Sequence, residues 1–354
     1  MSSDHVSELS LEAISSYVRD LSSACSAVIL TENFLFAGSH DGLLICWEAA
    51  EGIERWRVSI DGPISDIYFD SDKLYVTASA SLYAIDNQRG SIVWSNKLEG
   101  ASDYVIVVDG SVWATSSIYE LEVADFIESS IWRFDYSGNE LDRWVISERP
   151  WHLASDGDGG ILLGLGRPRC GYLRVRPGVD LQHIPLSIES PITCGAGDIE
   201  NILFGHSNGG VSSILSKISE HEHESLVTAI AVGKSGWISG HDDGKVSMES
   251  NASYLPGSID SVEILETIGW ASSYNDSRVN VMILSDEEKT LTHDSRIRQM
   301  HSLGNNLALG DDKGRIFMIE LEVLQRRINS SYQAVADDSK KSDLRAKLRM
   351  LRNR

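Results

Sequence analysis

The sequence predicts an all-β protein, a single β-propeller of about eight four-stranded blades, with seven blades as the alternative count. Three observations carry this prediction. Pairs of short apolar segments separated by turns rich in Gly, Asp and Asn recur along residues 25–320. Their spacing averages roughly 39 residues, which is the length of one four-stranded blade. The same region lacks the i, i+3, i+4, i+7 apolar stripes that are typical of amphipathic helices.

The clearest copies place a glycine turn between two apolar strands. These copies are Phe34–Trp47, Ile202–Ile214, Trp237–Met248 and Leu307–Ile319. A tight hairpin needs positive φ at the shared turn position, which glycine adopts freely. The glycines expected there are Gly42, Gly210, Gly244 and Gly314. A further copy, Val112–Phe134, carries a long insertion between its two strands. A fixed period favours radial repetition over a sandwich, because a closed ring leaves few exposed sheet edges.

The two ends of the chain differ from the repeats. The sequence therefore predicts three parts, which are an N-terminal segment at residues 1–24, a propeller at residues 25–324 and a C-terminal segment at residues 325–354. The first segment is predicted to be a short helix, because Leu11, Ile14, Val18 and Leu21 fall on one helical stripe. Alternatively, it completes the last blade as a closing strand. The last segment is predicted to be a linker followed by a basic amphipathic helix. Residues 340–354 carry a net charge of +6, whereas the rest of the chain carries -27.

Composition limits the class and the partners. The chain has 354 residues, 42% of them hydrophobic, and a net charge of -21. No apolar run approaches the roughly 20 residues that span a bilayer. The negative charge argues against a body that wraps nucleic acid, so nucleic acid is expected only at the basic tail. The N-terminus shows no secretory signal, and the four cysteines form no C-x-x-C pair, which predicts reduced thiols and a cytoplasmic protein.

A tryptophan motif recurs in the first three units. The second unit reads Ala84-Ile-Asp86-Asn-Gln-Arg-Gly90-Ser-Ile-Val-Trp94, the first unit has Gly52 and Trp56, and the third has Gly138 and Trp144. This spacing resembles the tryptophan-docking repeat of PQQ-like propellers, and the turns GSHDG and GHDDG are similar to those of WD40 repeats. The resemblance implies that Trp56, Trp94 and Trp144 dock between neighbouring blades. It implies no cofactor or metal site, because the chain lacks the adjacent cysteine pair of the quinone enzymes.

Histidines and acids in the repeat turns are the predicted partner-binding residues of the disc. They are His40, Asp41, His206, His241, Asp242, Asp243, Asp311 and Asp312. The turn between the second and third strands of each blade lies on one face, so these side chains are expected on the same face. The alternative interpretation is plain turn chemistry, since Asp and Gly suit hairpins. The basic tail supplies a second set of candidates, which are Lys340, Lys341, Arg345, Lys347, Arg349, Arg352 and Arg354.

The sequence favours a non-enzymatic protein-interaction scaffold, a monomeric disc that acts alone or within a complex. It shows no phosphate-binding loop, nucleophile elbow or H-E-x-x-H motif, and no catalytic residue is predicted. An enzyme with a loop-built site at the central axis is one alternative, since propeller sites need no local motif. A nucleic-acid- or ribosome-associated factor acting through the tail is the other. The helix at the tail could also dock onto its own acidic disc.

Overall fold

The computed structural model describes residues 10–329 except 216, 220–224, 250, 277 and 286. The described chain forms eight four-stranded antiparallel sheets, which confirms the eight-bladed count. A short helix, α1 (Leu11–Ile14), and strand β1 (Tyr17–Asp20) precede the repeats. A second helix, α2, covers residues 321–329 and follows the last strand directly.

The strands follow one another blade by blade along the chain. Blade 1 contains β2 (Cys25–Leu30), β3 (Phe34–Ser39), β4 (Leu43–Glu48) and β5 (Glu54–Ser59). Blade 2 contains β6 (Ile64–Asp70), β7 (Lys73–Ala78), β8 (Ser81–Asp86) and β9 (Ile92–Lys97). Blade 3 contains β10 (Ala101–Val108), β11 (Ser111–Glu120), β12 (Asp125–Asp135) and β13 (Glu140–Ile146). Blade 4 contains β14 (Pro150–Ser155), β15 (Ile161–Leu165), β16 (Tyr172–Val175) and β17 (Gln182–Ile184).

The second half repeats the pattern with shorter strands in blade 5. Blade 5 contains β18 (Ile192–Ala196), β19 (Leu203–His206), β20 (Val211–Ser213) and β21 (Lys217–Ser219). Blade 6 contains β22 (Val227–Gly233), β23 (Gly236–His241), β24 (Lys245–Met248) and β25 (Ala252–Tyr254). Blade 7 contains β26 (Ser258–Leu265), β27 (Ile268–Asn275), β28 (Arg278–Leu284) and β29 (Lys289–His293). Blade 8 contains β30 (Ile297–Leu303), β31 (Asn306–Asp311), β32 (Arg315–Glu320) and, from the N-terminus, β1.

The first strand of each blade lies innermost, because the eight first strands contact one another in a closed ring. We call the face that carries the turns between second and third strands and the blade-to-blade connections the upper face. Hydrogen bonds join these loops in blade 1, where His40 N donates to Ala24 O at 3.0 Å and Ile60 N donates to Gly42 O at 2.9 Å. Apolar clusters fill the spaces between neighbouring blades. The fold therefore places eight sets of loops side by side on the upper face.

The ring closes through the N-terminus. Strand β1 pairs antiparallel with β32, with Tyr17 opposite Met318 and Asp20 opposite Arg315. The predicted N-terminal helix is confirmed only at Leu11–Ile14, and the closing strand, given as the alternative, accounts for residues 17–20. Residues 17–20 form a strand instead of continuing the helix. This strand supplies the hydrogen-bond partners that the edge of β32 would otherwise lack. The boundary placed at residue 24 therefore cuts through blade 8.

The turn glycines sit where positive φ is required. Gly42, Gly244 and Gly314 have φ of 83°, 89° and 83°. In blade 5 the equivalent residue is Gly209, with φ of 83°, and not Gly210, which was expected. The turn in that blade contains two successive glycines, so the sequence pattern alone allowed a shift of one residue.

Candidate functional site on the upper face of blades 3 to 5

Only some of the predicted partner-binding residues reach the surface of the upper face. His40, Asp41, Asp242 and Asp243 are exposed, and Asp312 is half-buried. The Asp242 carboxylate accepts a hydrogen bond from Ser225 Oγ at 2.5 Å, and Asp312 lies 3.2 Å from Arg298 Nε. The basic candidates at residues 340–354 lie outside the described residues.

The prediction that His206, His241 and Asp311 belong to this surface is wrong, because all three are buried. Each histidine ends a second strand and ties the turn to the preceding connection. His206 Nδ1 lies 3.0 Å from Ser190 O and its Nε2 lies 2.8 Å from Ser212 Oγ. His241 contacts Ser225 O and Ser239 Oγ in the same way, each at 3.2 Å.

His40 is not the equivalent of these two histidines. The residue that ends the second strand of blade 1 is Ser39, so His40 lies one position farther along the turn, in solvent. A shift of one residue turns the side chain to the other side of the strand. The three histidines therefore form no common rim, and two of them are structural.

Acidic groups and a histidine of blades 7 and 8 form a partly buried cluster. His293, Asp294 and Asp311 bring one ligand atom each to within 4.8 Å of one another. The guanidinium of Arg315 occupies this cluster, with Nε donating to Asp311 at 2.8 Å and Nη2 bonded to Asp294. Burial opposes ionisation of Asp311, but hydrogen bonds from His293 and Arg315 hold the pKa of its carboxyl below the ordinary value. The cluster is therefore an ion-pair network that extends from buried Asp311 to exposed Asp294.

The largest departure from the repeat is the hairpin of blade 3. Strands β11 and β12 have 10 and 11 residues, whereas β3 and β4 of blade 1 have 6 each. Four extra residues in β11 and five in β12 extend the hairpin by about 13 Å. We call residues 117–129 the hairpin arm. Ser117 pairs with Ser129 at its base, and Glu120 pairs with Asp125 next to its tip.

The hairpin arm exposes apolar side chains. Tyr119, Leu121, Val123 and Ile127 are 48%, 84%, 61% and 47% exposed. Clustered exposed apolar residues on a soluble domain are a recognised mark of an interaction surface. The aromatic ring of Phe126 packs edge-on against Tyr119, with centroids 5.1 Å apart. This contact orients Phe126 toward the base of the arm.

A cavity of about 560 Å³ lies at the base of the arm, where blades 3, 4 and 5 meet. Phe126, Trp151 and Ile192 supply apolar walls, Arg149 and Arg167 supply cations, and Asp125 supplies one carboxylate. The Arg149 guanidinium lies over both aromatic rings, 4.1 Å from the Phe126 centroid and 4.6 Å from the Trp151 centroid. Such stacking holds the cation in one orientation.

Two ion pairs fix the cations of this cavity. Arg149 Nη2 donates to buried Asp103 at 2.8 Å, and Ser117 Oγ donates to the same carboxylate at 2.5 Å. Burial raises the pKa of the Asp103 carboxyl, and the contacts with Arg149 and Ser117 oppose that rise. Arg169 binds buried Glu148 with two hydrogen bonds of 2.6 Å each, which anchors the turn that presents Arg167.

Ionisable groups on the innermost strands connect adjacent blades. Asp66 of blade 2 accepts a hydrogen bond from Val105 N of blade 3 at 3.0 Å, and burial raises the pKa of Asp66 to about 7. Glu263 accepts one from Ser302 Oγ at 3.3 Å, and burial raises its pKa to about 7. Sequence analysis named neither of these groups, since other polar residues share their strands and no local pattern shows which of them is buried.

Sequence analysis also missed the cavity. The one sequence feature that pointed to this region was the insertion between β11 and β12. It predicted an irregular repeat but no binding site. The cavity depends on Phe126, Arg149, Arg167 and Ile192, which come from three blades. No spacing rule brings such residues together.

Comparisons with known proteins agree with this architecture. Residues 8–135 match the family model described as outer membrane protein assembly factor BamB. No curated protein matches the chain significantly. The designed Ika8 protein superposes with a TM-score of 0.62 at 17% identity, covering 85% of this chain and 98% of its own. Saccharomyces cerevisiae Sqt1 superposes with a TM-score of 0.67 at 13% identity, covering 86% and 98%.

At these identities the structural likeness concerns the fold alone. No helix within the described residues is long and apolar enough to cross a membrane. The match over residues 8–135 and the eight-bladed architecture together show a β-propeller fold and support a likeness to PQQ-like and WD40-like propellers.

Proposed function

We propose that the protein is a non-enzymatic protein-interaction scaffold that binds its partner through the upper face. The observation that carries this proposal is the hairpin arm, whose Leu121 is 84% exposed. A large apolar side chain that an insertion exposes to water lowers solubility. A partner protein that covers this side chain would explain its presence. The surrounding acids of the arm keep it soluble when it is free.

The arm is also built to stay in place. Its base is fixed by Ser117 Oγ, which lies 2.9 Å from Ser129 Oγ and donates to Asp103. Phe126 is held against Arg149, which is itself paired with Asp103. A pre-ordered binding element loses less conformational entropy when a partner binds. The fixed position of the arm supports its role as a binding element and argues against an insertion without a function.

The exposed turn acids and the basic tail belong to the same proposal. Asp41, Asp242 and Asp243 are exposed acids on blades 1 and 6 that would attract a basic partner surface, with His40 beside Asp41 and half-buried Asp312 on blade 8. Residues 340–354 would offer a second, oppositely charged contact to a protein or to nucleic acid. The cysteines are free thiols, which supports the expectation of a reducing compartment such as the cytoplasm.

The test is partner recovery from cells of the source organism with a tagged full-length chain. The double variant Leu121→Ser and Val123→Ser removes apolar surface from the arm. Leu215→Ser is the matched control, because Leu215 is 90% exposed on a different blade. The partner should be recovered with the wild type and with Leu215→Ser, and at least about tenfold less with the arm variant. Equal recovery by both variants would refute the role of the arm.

A further inference from the structure

We propose that the cavity at the base of the hairpin arm binds a peptide carboxylate that lies beside an apolar side chain. The proposal rests on the scaffold function and names the chemistry that this part of the surface recognises. The carboxylate is either that of an Asp or Glu side chain or that of a chain end, and both present the same two oxygens to an arginine.

The volume and the walls of the cavity suit an apolar side chain. Its volume of about 560 Å³ lies within the range of about 300–1,000 Å³ that is typical of ligand sites. Trp151 and Phe126 are half-buried, so each presents part of its ring to a ligand, while Ile192 is fully buried beneath them. An aromatic or branched side chain entering here would displace water from the exposed parts of the Phe126 and Trp151 rings.

Arg149 supplies a preorganised set of hydrogen-bond donors. One amino group is bonded to Asp103, and the plane of the guanidinium is held between Phe126 and Trp151. Its Nε is buried and has no hydrogen-bond partner among the described residues. A buried donor without a partner is unfavourable, and a ligand oxygen that reaches it would recover part of the lost hydrogen-bond energy.

Arg167 supplies a cation that is free to meet a ligand. Asp125, the carboxylate in the same lining, forms no ion pair with Arg167 within the described residues and instead accepts a hydrogen bond from Phe126 N at 2.8 Å. The Arg149 charge is balanced by Asp103, whereas exposed Arg167 has no ion pair or side-chain hydrogen bond within the described part of the chain. The turn that carries Arg167 is anchored by the two hydrogen bonds between Arg169 and Glu148. In a chain of net charge -21, an unpaired arginine at the mouth of an apolar cavity favours an anionic ligand.

The experiment measures fluorescence anisotropy of labelled peptides with the full-length protein. The first peptide has two aspartates flanking a phenylalanine and an amidated end. The second replaces both aspartates by asparagine and keeps the amide. The third is the asparagine peptide with a free carboxyl end. Saturable binding of the first or the third, and at least about fivefold weaker binding of the second, is the expected result. The preferred peptide identifies the source of the carboxylate.

Arg167→Gln and Arg89→Gln are the paired variants. Both remove one exposed positive charge, and Arg89 lies in a turn of blade 2 away from the cavity. Arg167→Gln should weaken the preferred peptide about tenfold, and Arg89→Gln should leave its affinity within about twofold. Equal binding of all three peptides, or an equal effect of the two variants, would overturn the proposal.

The same variants separate this proposal from the scaffold function. If partner recovery depends on Leu121 and Val123 while no peptide binds, the carboxylate site is wrong and the scaffold stands. If peptides bind through Arg167 but the arm variant recovers its partner normally, the cavity stands and the arm is not the interaction element.

Discussion

Trp56 of blade 1 covers Gly90 of blade 2. A Cβ atom placed on Gly90 would come within 2.6 Å of the indole, and the indole Nε1 donates to Asn87 O at 2.6 Å. Trp94 meets Gly138 of blade 3 in the same manner, with a Cβ approach of 2.7 Å. A tryptophan on the outer strand thus needs a glycine in the turn of the next blade.

Strand β1, which closes the ring, contacts the turn glycine of blade 1 through a tyrosine and an arginine instead of a tryptophan. Tyr17 and Arg19 pack on Gly52 of blade 1, where a Cβ atom would come within 2.7 Å and 2.6 Å of them. Arg19 Nη2 donates to Glu51 O at 2.7 Å, and its guanidinium lies over the Tyr17 ring. Trp144 packs against the apolar cluster shared by blades 3 and 4 and stacks on Trp113 with centroids 5.5 Å apart. It departs from this arrangement because the turn glycine of blade 4, Gly178, has no atom of the described residues within 4 Å of an added Cβ.

Trp56→Ala should destabilise the protein more than Trp94→Ala does. Trp56 is 8% exposed, whereas Trp94 is half-buried. We expect a loss of roughly 3–5 kcal/mol for Trp56→Ala and about 2–3 kcal/mol for Trp94→Ala in the free energy of unfolding. Chemical denaturation of both variants measures this. A loss below about 1 kcal/mol for Trp56→Ala would contradict a docking role.

Gly90→Ala should be more costly than Gly178→Ala. Both glycines have positive φ, of 67° and 70°, so both substitutions carry the backbone strain of about 1–2 kcal/mol. Only Gly90 has an indole above it, while the space around Gly178 is open. The clash should add about 1–3 kcal/mol.

A double-mutant cycle isolates the contact between Trp56 and Gly90. In the Trp56→Ala background, the cost of Gly90→Ala should fall to that of Gly178→Ala, because only the backbone strain remains. Strictly additive losses would show that the glycine is required by its backbone conformation alone.

Asp66→Asn should change how stability depends on pH. Burial raises the pKa of Asp66 to about 7 from 3.8, so the folded state holds a proton that the unfolded state releases between about pH 4 and 7. The wild-type carboxyl therefore costs stability as pH rises through this window. Between pH 5 and 8, Asp66→Asn should gain about 1–3 kcal/mol relative to the wild type.

The Asp66→Asn substitution also lowers the free energy of unfolding by an amount that does not depend on pH. The Asp66 oxygens accept hydrogen bonds from Ile67 N and Val105 N, and an amide can accept only with its one oxygen. The test is therefore the pH dependence of the difference in unfolding free energy, measured by urea denaturation. A difference that stays constant from pH 5 to 8 would contradict a raised pKa.

Arg315→Gln should loosen ring closure in a pH-dependent way. Arg315 donates to Asp311, Asp294 and Glu12, and the pKa values of Asp311 and Asp294 lie below the ordinary value. Removing the guanidinium leaves buried Asp311 with much less compensation, at a cost of roughly 2–4 kcal/mol at pH 7. Arg298→Gln is a surface control, since the Arg298 side chain is 47% exposed.

The cost of Arg315→Gln should shrink toward pH 4. The stability that these carboxylates contribute is present above their unfolded pKa and is lost as pH falls through the folded pKa. In the variant, Asp311 would take up a proton at a higher pH, which relieves its unpaired charge. A cost that is the same at pH 7 and pH 4 would show that Arg315 acts through packing instead.

The sequence by itself determined the repeat and much of the docking. A period of one blade, a glycine in the turns of blades 1, 5, 6 and 8 and a tryptophan on the outer strand are local features, because strand length and positive φ are properties of short segments. They were enough to predict eight blades and the pairing of Trp56 and Trp94 with a neighbouring blade. The position of Gly209 was missed by one residue.

Only the tertiary structure decided which strand closes the ring and which polar residues reach water. Tyr17 meets Met318 across nearly the whole chain, and turn histidines that look alike in sequence are buried at His206 and exposed at His40. The cavity beside Arg149 exists because three blades converge there. Such contacts join residues that are far apart in the chain, and their burial follows from the packing of whole blades, which no local pattern encodes.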